Sequence, residues 1–189
     1  MSDHFAQSLK RLNEALTASA GLGPLVEKAA KIVADALIAG NKLLICGNGG
    51  SGADAAHIAT EFTCRFNQDR RPYPAISLTS DGGLLLAVGN DYEFQDVFSR
   101  QVKAFGKPGD VLIGLSTSGK SRNVLDAIEE ARRLKVHSIA FLGKGGGFTV
   151  GAADVEITVP HTETARVQEV QKFLLHVLCE MVEEKLPKE

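Results

Sequence analysis

Five short apolar runs recur along the chain, each apolar throughout rather than alternating with polar residues. They are Leu43–Cys46, Ala75–Leu78, Val111–Leu115, Ser138–Leu142 and Val155–Val159. Strands that are covered on both faces have this composition, because neither face meets water. The pattern therefore predicts five buried strands of a parallel sheet.

Segments with helical periodicity precede, separate and follow these strands. They cover residues 3–18, 24–40, 51–66, 93–105, 121–135 and 163–185. Ser2 or Asp3 can cap the first helix, and Pro24 suits the first turn of the second. Alternation of strands and helices is typical of a doubly wound parallel sheet with right-handed crossovers.

The predicted fold class is therefore α/β, with a doubly wound five-stranded parallel sheet flanked by helices. Two N-terminal helices are expected within residues 1–40, and the sheet with a long closing C-terminal helix within residues 41–189. No internal repeat or long linker divides the sequence, so we expect one domain over residues 1–189.

Composition narrows the class of protein without assigning a function. Of 189 residues, 44% are hydrophobic and 23% are charged, which is ordinary for a soluble globular protein. The formal net charge of −2 gives no electrostatic reason to expect nucleic acid or an anionic membrane as a partner. No apolar run approaches membrane-spanning length, and residues 1–5 lack the apolar segment of a signal peptide.

Three cysteines, Cys46, Cys64 and Cys179, lack the spacing of a metal site. An odd number of cysteines without a disulfide framework is typical of reduced thiols in a cytoplasmic protein. We therefore expect a cytoplasmic location and three thiols that behave as small buried apolar side chains.

The run from Gly47 to Gly52, Gly-Asn-Gly-Gly-Ser-Gly, joins the first predicted strand to the helix that follows it. Backbone N–H groups in the first turn of a helix lack intrahelical partners, and the helix dipole favours negative charge there. A glycine loop in this position is therefore a ready anion site. A nucleotide, a dinucleotide and a phosphorylated sugar are all candidate ligands.

A second loop, rich in hydroxyl groups, follows the third predicted strand. Its residues are Ser116-Thr117-Ser118-Gly119-Lys120-Ser121. Because ligands of doubly wound sheets bind beyond the carboxyl ends of the strands, these hydroxyls are placed to donate to phosphate oxygens. Ser121 alone fits a helix cap equally well, since serine is preferred at helix starts. The fourth strand leads into the glycine-rich residues 143–147, which allow flexibility or a close backbone approach.

The glycine loop also satisfies the G-x-G-x-x-G fingerprint of dinucleotide sites. That fingerprint requires an acidic residue at the end of the next strand, about 20 residues further on. Asp81 follows the end of that strand by several residues, which makes the match weak. We therefore expect neither a nucleotide cofactor nor a Walker-type nucleotide site.

His57 and Glu61 lie four residues apart on the helix after the glycine loop, hence on one face and near the anion site. Taken alone, an exposed ion pair is the more ordinary interpretation of these two residues. On the closing helix, Gln168 and His176 are separated by two turns and about 80° of rotation, while Glu169 lies closer to the face of His176. A buried histidine bound to a backbone carbonyl would also explain His176, which lies in an apolar run.

Taken together, these motifs resemble the phosphoheptose isomerase family of sugar isomerase (SIS) domains. The matching residues are Cys46-Gly47-Asn48-Gly49-Gly50-Ser51 with His57, Glu61 and Arg65; Val88-Gly89-Asn90-Asp91; Ser116-Thr117-Ser118-Gly119; and Arg166-Val167-Gln168-Glu169 with His176. The resemblance covers nearly the full length, and the order and spacing of the motifs are more specific than any one of them. It implies an SIS fold and the isomerisation of sedoheptulose 7-phosphate to D-glycero-D-manno-heptose 7-phosphate in heptose and lipopolysaccharide biosynthesis.

The resemblance also implies roles for individual residues. Glu61 matches the general base and His176 the acid of proton transfer through an enediol. The matching substrate-binding positions are Asn48, Gly49, Gly50, Ser51, Arg65, Asn90, Asp91, Ser116, Thr117, Ser118, Ser121 and Gln168. In several members His57, Glu61, Gln168 and His176 hold one zinc ion per subunit. Family members are homotetramers with sites between subunits, so the expected partners are a phosphorylated seven-carbon sugar and further copies of the chain.

Two alternatives within the same fold remain open. Residues 164–169 of this chain read Thr-Ala-Arg-x-Gln-Glu. The same motif occurs in a non-enzymatic branch of the fold that binds the replication initiator DnaA. Some isomerases have an acidic residue where this chain has Ala165, but the initiator-binding branch typically lacks the counterparts of Glu61 and His176. The other alternative is a regulatory domain that senses a sugar phosphate without converting it.

Overall fold

The computed structural model describes residues 3–187 of the chain. Its helices are α1 (His4–Ala18), α2 (Gly23–Ile38), α3 (Gly50–Thr63), α4 (Gly82–Asp91), α5 (Ser99–Phe105), α6 (Arg122–Arg133) and α7 (Thr164–Glu183). The strands are β1 (Leu43–Gly47), β2 (Ala75–Ser77), β3 (Val111–Ser116), β4 (His137–Gly143) and β5 (Val155–Val159). Short 3-10 turns lie at Ala20–Leu22 and Phe94–Asp96, and Lys144–Thr149 is a kinked segment in which Gly145, Gly146 and Gly147 have non-helical backbone angles.

The five strands form one parallel sheet in the order β2-β1-β3-β4-β5. The chain leaves β1 toward β2 on one side and returns to add β3 on the other side. In an open α/β sheet, ligands bind where the strand order reverses in this way. Gly47 pairs in register with Leu115, so the loops that follow β1 and β3 begin side by side.

Apolar cores cover both faces of the sheet. Leu43 and Ile45 of β1 belong to a core that α1, α2, α3 and α7 complete. Leu44 and Cys46 of the same strand face the opposite core, which includes residues of α5 and α6. Because successive side chains of a strand point to opposite faces, both alternating sets of β1 are buried, as the unbroken apolar runs predicted.

The doubly wound α/β sheet predicted from the sequence is confirmed, with each strand within two residues of its predicted ends. Asp3 caps α1 by accepting the Ala6 N–H at 2.9 Å, whereas the alternative cap, Ser2, lies outside the described residues. Pro24 lies in the first turn of α2, as expected. The prediction of one domain remains a prediction.

Two local predictions are wrong. An Asn-Asp pair directly after a glycine predicts a turn, but Asn90 and Asp91 are the last residues of α4. The glycines at both ends of α4 weaken the helical pattern, while the Asp81 carboxylate starts the helix by accepting the Leu84 N–H at 2.9 Å. The helix predicted over residues 93–105 is interrupted, with the 3-10 turn Phe94–Asp96 preceding α5.

None of the helices that residues 3–187 form is both long enough and apolar enough to cross a membrane.

Candidate active site

The loop after β1 brings the first turn of α3 against the end of the sheet. Gly49, with φ +55°, is the N-cap residue of α3 and has no side chain with which to cap it. A Cβ at Gly47 would lie 2.9 Å from backbone atoms of Ser51, so the tight turn requires glycine there. The Gly52 N–H donates to the Asn48 carbonyl at 3.3 Å, which leaves the N–H groups of Gly50 and Ser51 for a ligand. A cavity of about 340 Å³ opens beside Asn48 and Gly49.

The loop after β3 arranges its hydroxyls differently from a helix cap. Ser121 occupies the N-cap position of α6, yet its side chain makes no capping bond. Its Oγ lies 3.0 Å from Oγ of Ser116, which is 3% exposed. Ser118 Oγ accepts the Lys120 N–H at 3.1 Å. Of the two interpretations of Ser121, the geometry favours a hydroxyl cluster that leaves the start of α6 open to an anion.

A pair of asparagines joins the two loops. Asn48 and Asn123 exchange two side-chain hydrogen bonds, each 2.8 Å long, across the point where the strand order reverses. Asn123 lies in the first turn of α6 and is 3% exposed. Its role was not predicted from the sequence, because asparagine is common near the start of a helix and its burial is visible only in the structure.

Close backbone packing fixes the β3 loop against the glycine-rich segment after β4. Gly119 has φ +62°, and a Cβ there would lie 2.0 Å from the carbonyl oxygen of Gly146. Thr149 Oγ1 donates to the Gly119 carbonyl at 2.9 Å. Of the two roles considered for residues 143–147, close backbone approach is therefore the one observed.

Gln168 of α7 lies over the start of α3. Its Nε2 donates to Asp54 Oδ2 at 3.0 Å, and the other carboxylate oxygen of Asp54 lies 3.0 Å from Lys172 Nζ. A Cβ on Gly50 would come within 2.3 Å of Gln168 Nε2. The structure thus places Gln168 beside the glycine loop and brings in Asp54, a 6% exposed residue that sequence reasoning missed.

His57, Glu61 and His176 form a cluster further along α3. His57 Nε2 lies 2.8 Å from Glu61 Oε1, and the side chain of Glu61 is only 17% exposed. The His57 and His176 rings meet edge to face with centroids 5.2 Å apart, and Phe66 lies 6.0 Å from the His176 ring. The His57–Glu61 pair is therefore more than an exposed ion pair, because α7 covers it with a third ionisable side chain.

The remaining predicted substrate-binding residues do not lie together within a single chain. Arg65 is exposed just beyond α3 and makes no hydrogen bond or ion pair within residues 3–187. Asn90 Nδ2 donates to Asp91 Oδ1 at 2.8 Å, and both residues are exposed at the end of α4. Thr117 is half-buried in the β3 loop beside Ser116 and makes no side-chain hydrogen bond to a described residue.

The donor chemistry of the histidine cluster suits zinc, because imidazole and carboxylate are its usual protein ligands. His57, Glu61 and His176 supply these groups, whereas the Gln168 amide is bound to Asp54 instead. As placed in residues 3–187, no group of three or more His, Cys, Asp or Glu side chains has the arrangement to hold a metal ion. Binding of zinc would therefore require these side chains to adopt other rotamers.

The loop residues also bear on whether the site has the features of a nucleotide-binding site. Asp81, the acidic residue considered for a dinucleotide, is engaged as the cap of α4. Although no Walker-type nucleotide site was expected, residues 114–121 do spell the Walker A pattern G-x-x-x-x-G-K-S. Gly114 lies inside β3, however, where a Cβ would be 2.9 Å from Val124 Cγ1 of α6. Helix packing explains Gly114, and only residues 117–121 form the loop, which is shorter than the loop that wraps the phosphates in a P-loop nucleoside triphosphatase.

The cysteines are free thiols, two of them buried. Burial raises the pKa of the Cys46 thiol to about 12, and burial together with the nearby Glu61 carboxylate raises the pKa of Cys179. Neither thiol is therefore a nucleophile near neutral pH, although Cys46 immediately precedes the glycine loop. The expectation of burial is wrong for Cys64, which is exposed at the end of α3.

Comparison with known proteins agrees with this geometry. Residues 4–143 match the SIS domain family model. The phosphoheptose isomerase of Geotalea daltonii is 47% identical over 165 residues, which cover 87% of this chain and 86% of the relative. The structure of phosphoheptose isomerase from Francisella tularensis has a TM-score of 0.92 at 36% identity, covering 96% of this chain and 97% of that one. The Neisseria gonorrhoeae phosphoheptose isomerase structure gives a TM-score of 0.87 at 41% identity, covering 96% of this chain and 95% of that one.

Together, the strand order, the two anion loops and these similarities show that the chain belongs to the SIS domain family and, within it, to the phosphoheptose isomerases.

Proposed function

We propose that the protein interconverts sedoheptulose 7-phosphate and D-glycero-D-manno-heptose 7-phosphate. The observation that carries the proposal is the position of a carboxylate–imidazole cluster on the same helix whose N-terminus forms an anion site. Glu61 lies 11 positions after Gly50, so about 16 Å of helix separates the start of α3 from the base. An extended seven-carbon sugar phosphate can reach from one to the other.

The phosphate would bind where the two loops meet. The first turns of α3 and α6 supply N–H donors, and Ser51, Ser116 and Ser121 supply hydroxyls. The Asn48–Asn123 pair holds the loops at a fixed separation, so the donors are ordered before the anion arrives. Neutral donors and helix dipoles, rather than a lysine cluster, would thus fix the phosphate.

Glu61 and His176 would carry out the proton transfers. Glu61 takes a proton from C1 of the open-chain ketose, while His176 gives a proton to the carbonyl oxygen on C2, forming the enediol. Glu61 then returns its proton to C2, and the hydroxyl on C1 loses its proton to His176, leaving the aldehyde. His57 lies against both groups and holds Glu61 through Nε2, so it orients the base during these steps.

We retain one zinc ion per subunit as part of the proposal. His57, Glu61 and His176 would hold it, with Gln168 as the fourth ligand of the set. When bound, such an ion would polarise the substrate carbonyl and stabilise the enediolate.

Self-association into a homotetramer is also part of the proposal. Helix α4 is rich in leucine, yet Val88 is its only buried residue, and Leu86 is 76% exposed. Phe5 of α1 is likewise 78% exposed. Apolar surface of this kind is typical of protein interfaces. A neighbouring copy could bring its own Asn90 and Asp91 to a site that the single chain leaves without them.

Location and pathway complete the proposal. We propose a cytoplasmic protein, because all three cysteines are free thiols, which is typical of a reducing compartment. Its product would supply heptose for glycan synthesis such as that of lipopolysaccharide. No structural observation favours the initiator-binding or sugar-sensing alternatives over the enzyme, since the Glu61–His57–His176 cluster has no evident role in either.

A coupled isomerase assay tests the proposal. Wild type should convert sedoheptulose 7-phosphate, and Glu61→Gln should lower kcat by about 10²- to 10⁴-fold, because it removes the base while keeping the shape. Glu27→Gln, an exposed change on α2, serves as the matched control and should match wild type. Absence of turnover by wild type with the seven-carbon phosphate would refute the proposed function. Retention by immobilised initiator, independent of Glu61, would favour the binding alternative.

A further inference from the structure

We propose that Arg70 and Glu183 are positioning residues, a buried clamp that fixes the two proton-transferring groups relative to each other; the inference rests on the proposed function of the site. Those groups are Glu61 on α3 and His176 on α7. Arg70 follows the end of α3, and Glu183 is the last residue of α7. Their side chains are only 8% and 6% exposed, and Arg70 Nε donates to Glu183 Oε1 at 3.4 Å.

Arg70 closes the C-terminal end of α3. The carbonyl groups in the last turn of a helix lack intrahelical partners. Arg70 Nη2 donates to the carbonyl of Glu61 at 2.6 Å, and Nη1 donates to that of Phe62 at 3.1 Å. A cation at this end also complements the helix dipole. The guanidinium therefore holds the backbone of the proposed base itself.

Glu183 ties the segment after α3 to the end of α7. Its carboxylate accepts the Asn67 N–H at 3.2 Å and the Gln68 N–H at 3.3 Å. Phe66, the residue before this anchor, has its ring 6.0 Å from that of His176. His176 and Glu183 are seven residues apart, so they lie two turns apart on one face of α7. The clamp and the proposed acid thus belong to the same contact between α3 and α7.

The planar guanidinium, and not its charge alone, suits this position. Tyr73 is 2% exposed, and its ring centroid lies 5.4 Å from Arg70 Cζ. The Tyr73 N–H also donates to the Phe62 carbonyl, at 3.0 Å. A lysine keeps the charge beside Glu183 but lacks the fork that reaches two carbonyls and a carboxylate together. Arg70→Lys therefore separates geometry from charge.

Steady-state kinetics with sedoheptulose 7-phosphate test the positioning role. In Arg70→Lys we expect kcat to fall about 10- to 100-fold, because a shift of catalytic groups by about 1 Å has an effect of this size. KM and the inhibition constant of inorganic phosphate should stay within about twofold of wild type, since the clamp does not contact the anion loops. Wild-type kcat in Arg70→Lys would overturn the proposal.

Lys42→Met is the matched control for loss of a buried ion pair. Lys42 Nζ lies 2.5 Å from Asp110 Oδ2, and the Asp110 side chain is 2% exposed. Like Glu183, Asp110 also accepts two backbone N–H groups, those of Lys42 and Lys107. The pair precedes β1 and β3, at the strand ends opposite the anion loops.

Both variants should lower the urea midpoint, because each disrupts a buried ion pair. We expect Lys42→Met to keep kcat, corrected for the folded fraction, within about twofold of wild type. Equal losses of corrected kcat in Lys42→Met and Arg70→Lys would overturn the proposal, since the loss of any buried ion pair would explain them.

A double-mutant cycle tests whether the two residues act as one unit. Glu183→Gln keeps the shape of the side chain but removes the charge that Arg70 pairs with, and kcat should fall. Because both changes weaken the same clamp, Arg70→Lys/Glu183→Gln should be at most about twofold slower than the slower single variant. Losses of kcat that multiply would overturn the proposal, since the residues would then act separately.

Cys179 provides a reporter within the contact between α3 and α7. It is 2% exposed and lies on α7 between His176 and Glu183. Burial raises the pKa of its thiol, Glu61 raises it further, Arg70 lowers it and Glu183 raises it, so the thiol lies among these three charged side chains. Opening of the clamp should therefore expose Cys179 to a thiol reagent.

Thiol labelling, followed by mass spectrometry of the peptides, gives a result that does not depend on catalysis. Cys46 lies in the core on the other face of the sheet and reports global unfolding in the same sample. We expect Cys179 to label at the rate of Cys46 in wild type and Lys42→Met, and about tenfold faster than Cys46 in Arg70→Lys. If wild type has no turnover but the thiols show this pattern, the isomerase function fails and the clamp stands. Equal labelling of both thiols in Arg70→Lys overturns the clamp whether or not the protein is an isomerase.

Discussion

His57 contacts both residues proposed to move protons. Its Nε2 lies 2.8 Å from Oε1 of Glu61, and its ring meets that of His176 edge to face at 5.2 Å. Glu61 and His57 share one face of α3, whereas His176 arrives from α7. The contact between the two histidines therefore depends on how α3 and α7 pack together. We expect a substitution at His57 to lower activity without unfolding the protein.

Replacing His57 tests this dependence. His57→Phe keeps a ring against His176 but removes the Nε2 donor, and we expect kcat to fall about 10²-fold, with little change in thermal stability. His57→Gln retains an N–H donor and should keep more activity than His57→Phe. His137→Gln, at the exposed first residue of β4, is the control. Wild-type kcat in His57→Phe would contradict the proposed role of the imidazole.

The asparagine pair that joins the two anion loops should govern phosphate affinity. Asn123→Asp is isosteric but removes the donor to Asn48 and places a carboxylate between the loops. We expect inorganic phosphate to inhibit about tenfold more weakly, because loss of the bond and the added repulsion act in the same direction. Asn13→Asp, exposed on α1, changes the net charge equally and should leave inhibition unchanged. Equal inhibition of both variants would contradict this role.

The close backbone contact between Gly119 and Gly146 should make the stability of the fold sensitive to any side chain at position 119. Gly119→Ala adds a Cβ in a left-handed backbone conformation, only 2.0 Å from the Gly146 carbonyl oxygen. We expect the free energy of unfolding in urea to fall by about 1–3 kcal/mol or more, because backbone strain and overlap add. Gly21→Ala, where a Cβ meets nothing within 4 Å, is the matched control. An unchanged urea midpoint for Gly119→Ala would show that this contact is not tight.

The cysteines should differ in reactivity and in their effect on alkaline stability. A thiol reagent at pH 8 should label Cys64 rapidly, and Cys46 and Cys179 only on unfolding. Burial raises the pKa of Cys46 from 9.0 to about 12, so the folded state holds a proton that the unfolded state loses. The resulting stability is complete below pH 9 and is lost as the pH rises toward 12, by up to about 1.4 kcal/mol per pH unit. Urea unfolding of Cys46→Ala should depend less on pH in this range, and an unchanged dependence would contradict the assignment.

Predictions from the sequence were most accurate for elements with a strong local pattern. The five strands were identifiable because both faces of each are buried, which leaves an unbroken apolar run. Helix α4 was missed because Gly82, Gly83 and Gly89 weaken its pattern, and its start depends on the Asp81 carboxylate. The exposure of Cys64 was also missed, because burial depends on what the rest of the chain covers.

The amino-acid sequence by itself determined the layered α/β architecture, the two phosphate-type loops and the spacing of His57 and Glu61 on one helix. These features follow from side-chain periodicity and from the backbone freedom of glycine, both of which are local. Only the tertiary structure decided that Asn48 pairs with Asn123, that Asp54 holds Gln168 and that His176 meets His57. Each of these contacts joins residues at least 75 positions apart, and their geometry exists only once the helices have packed on the sheet.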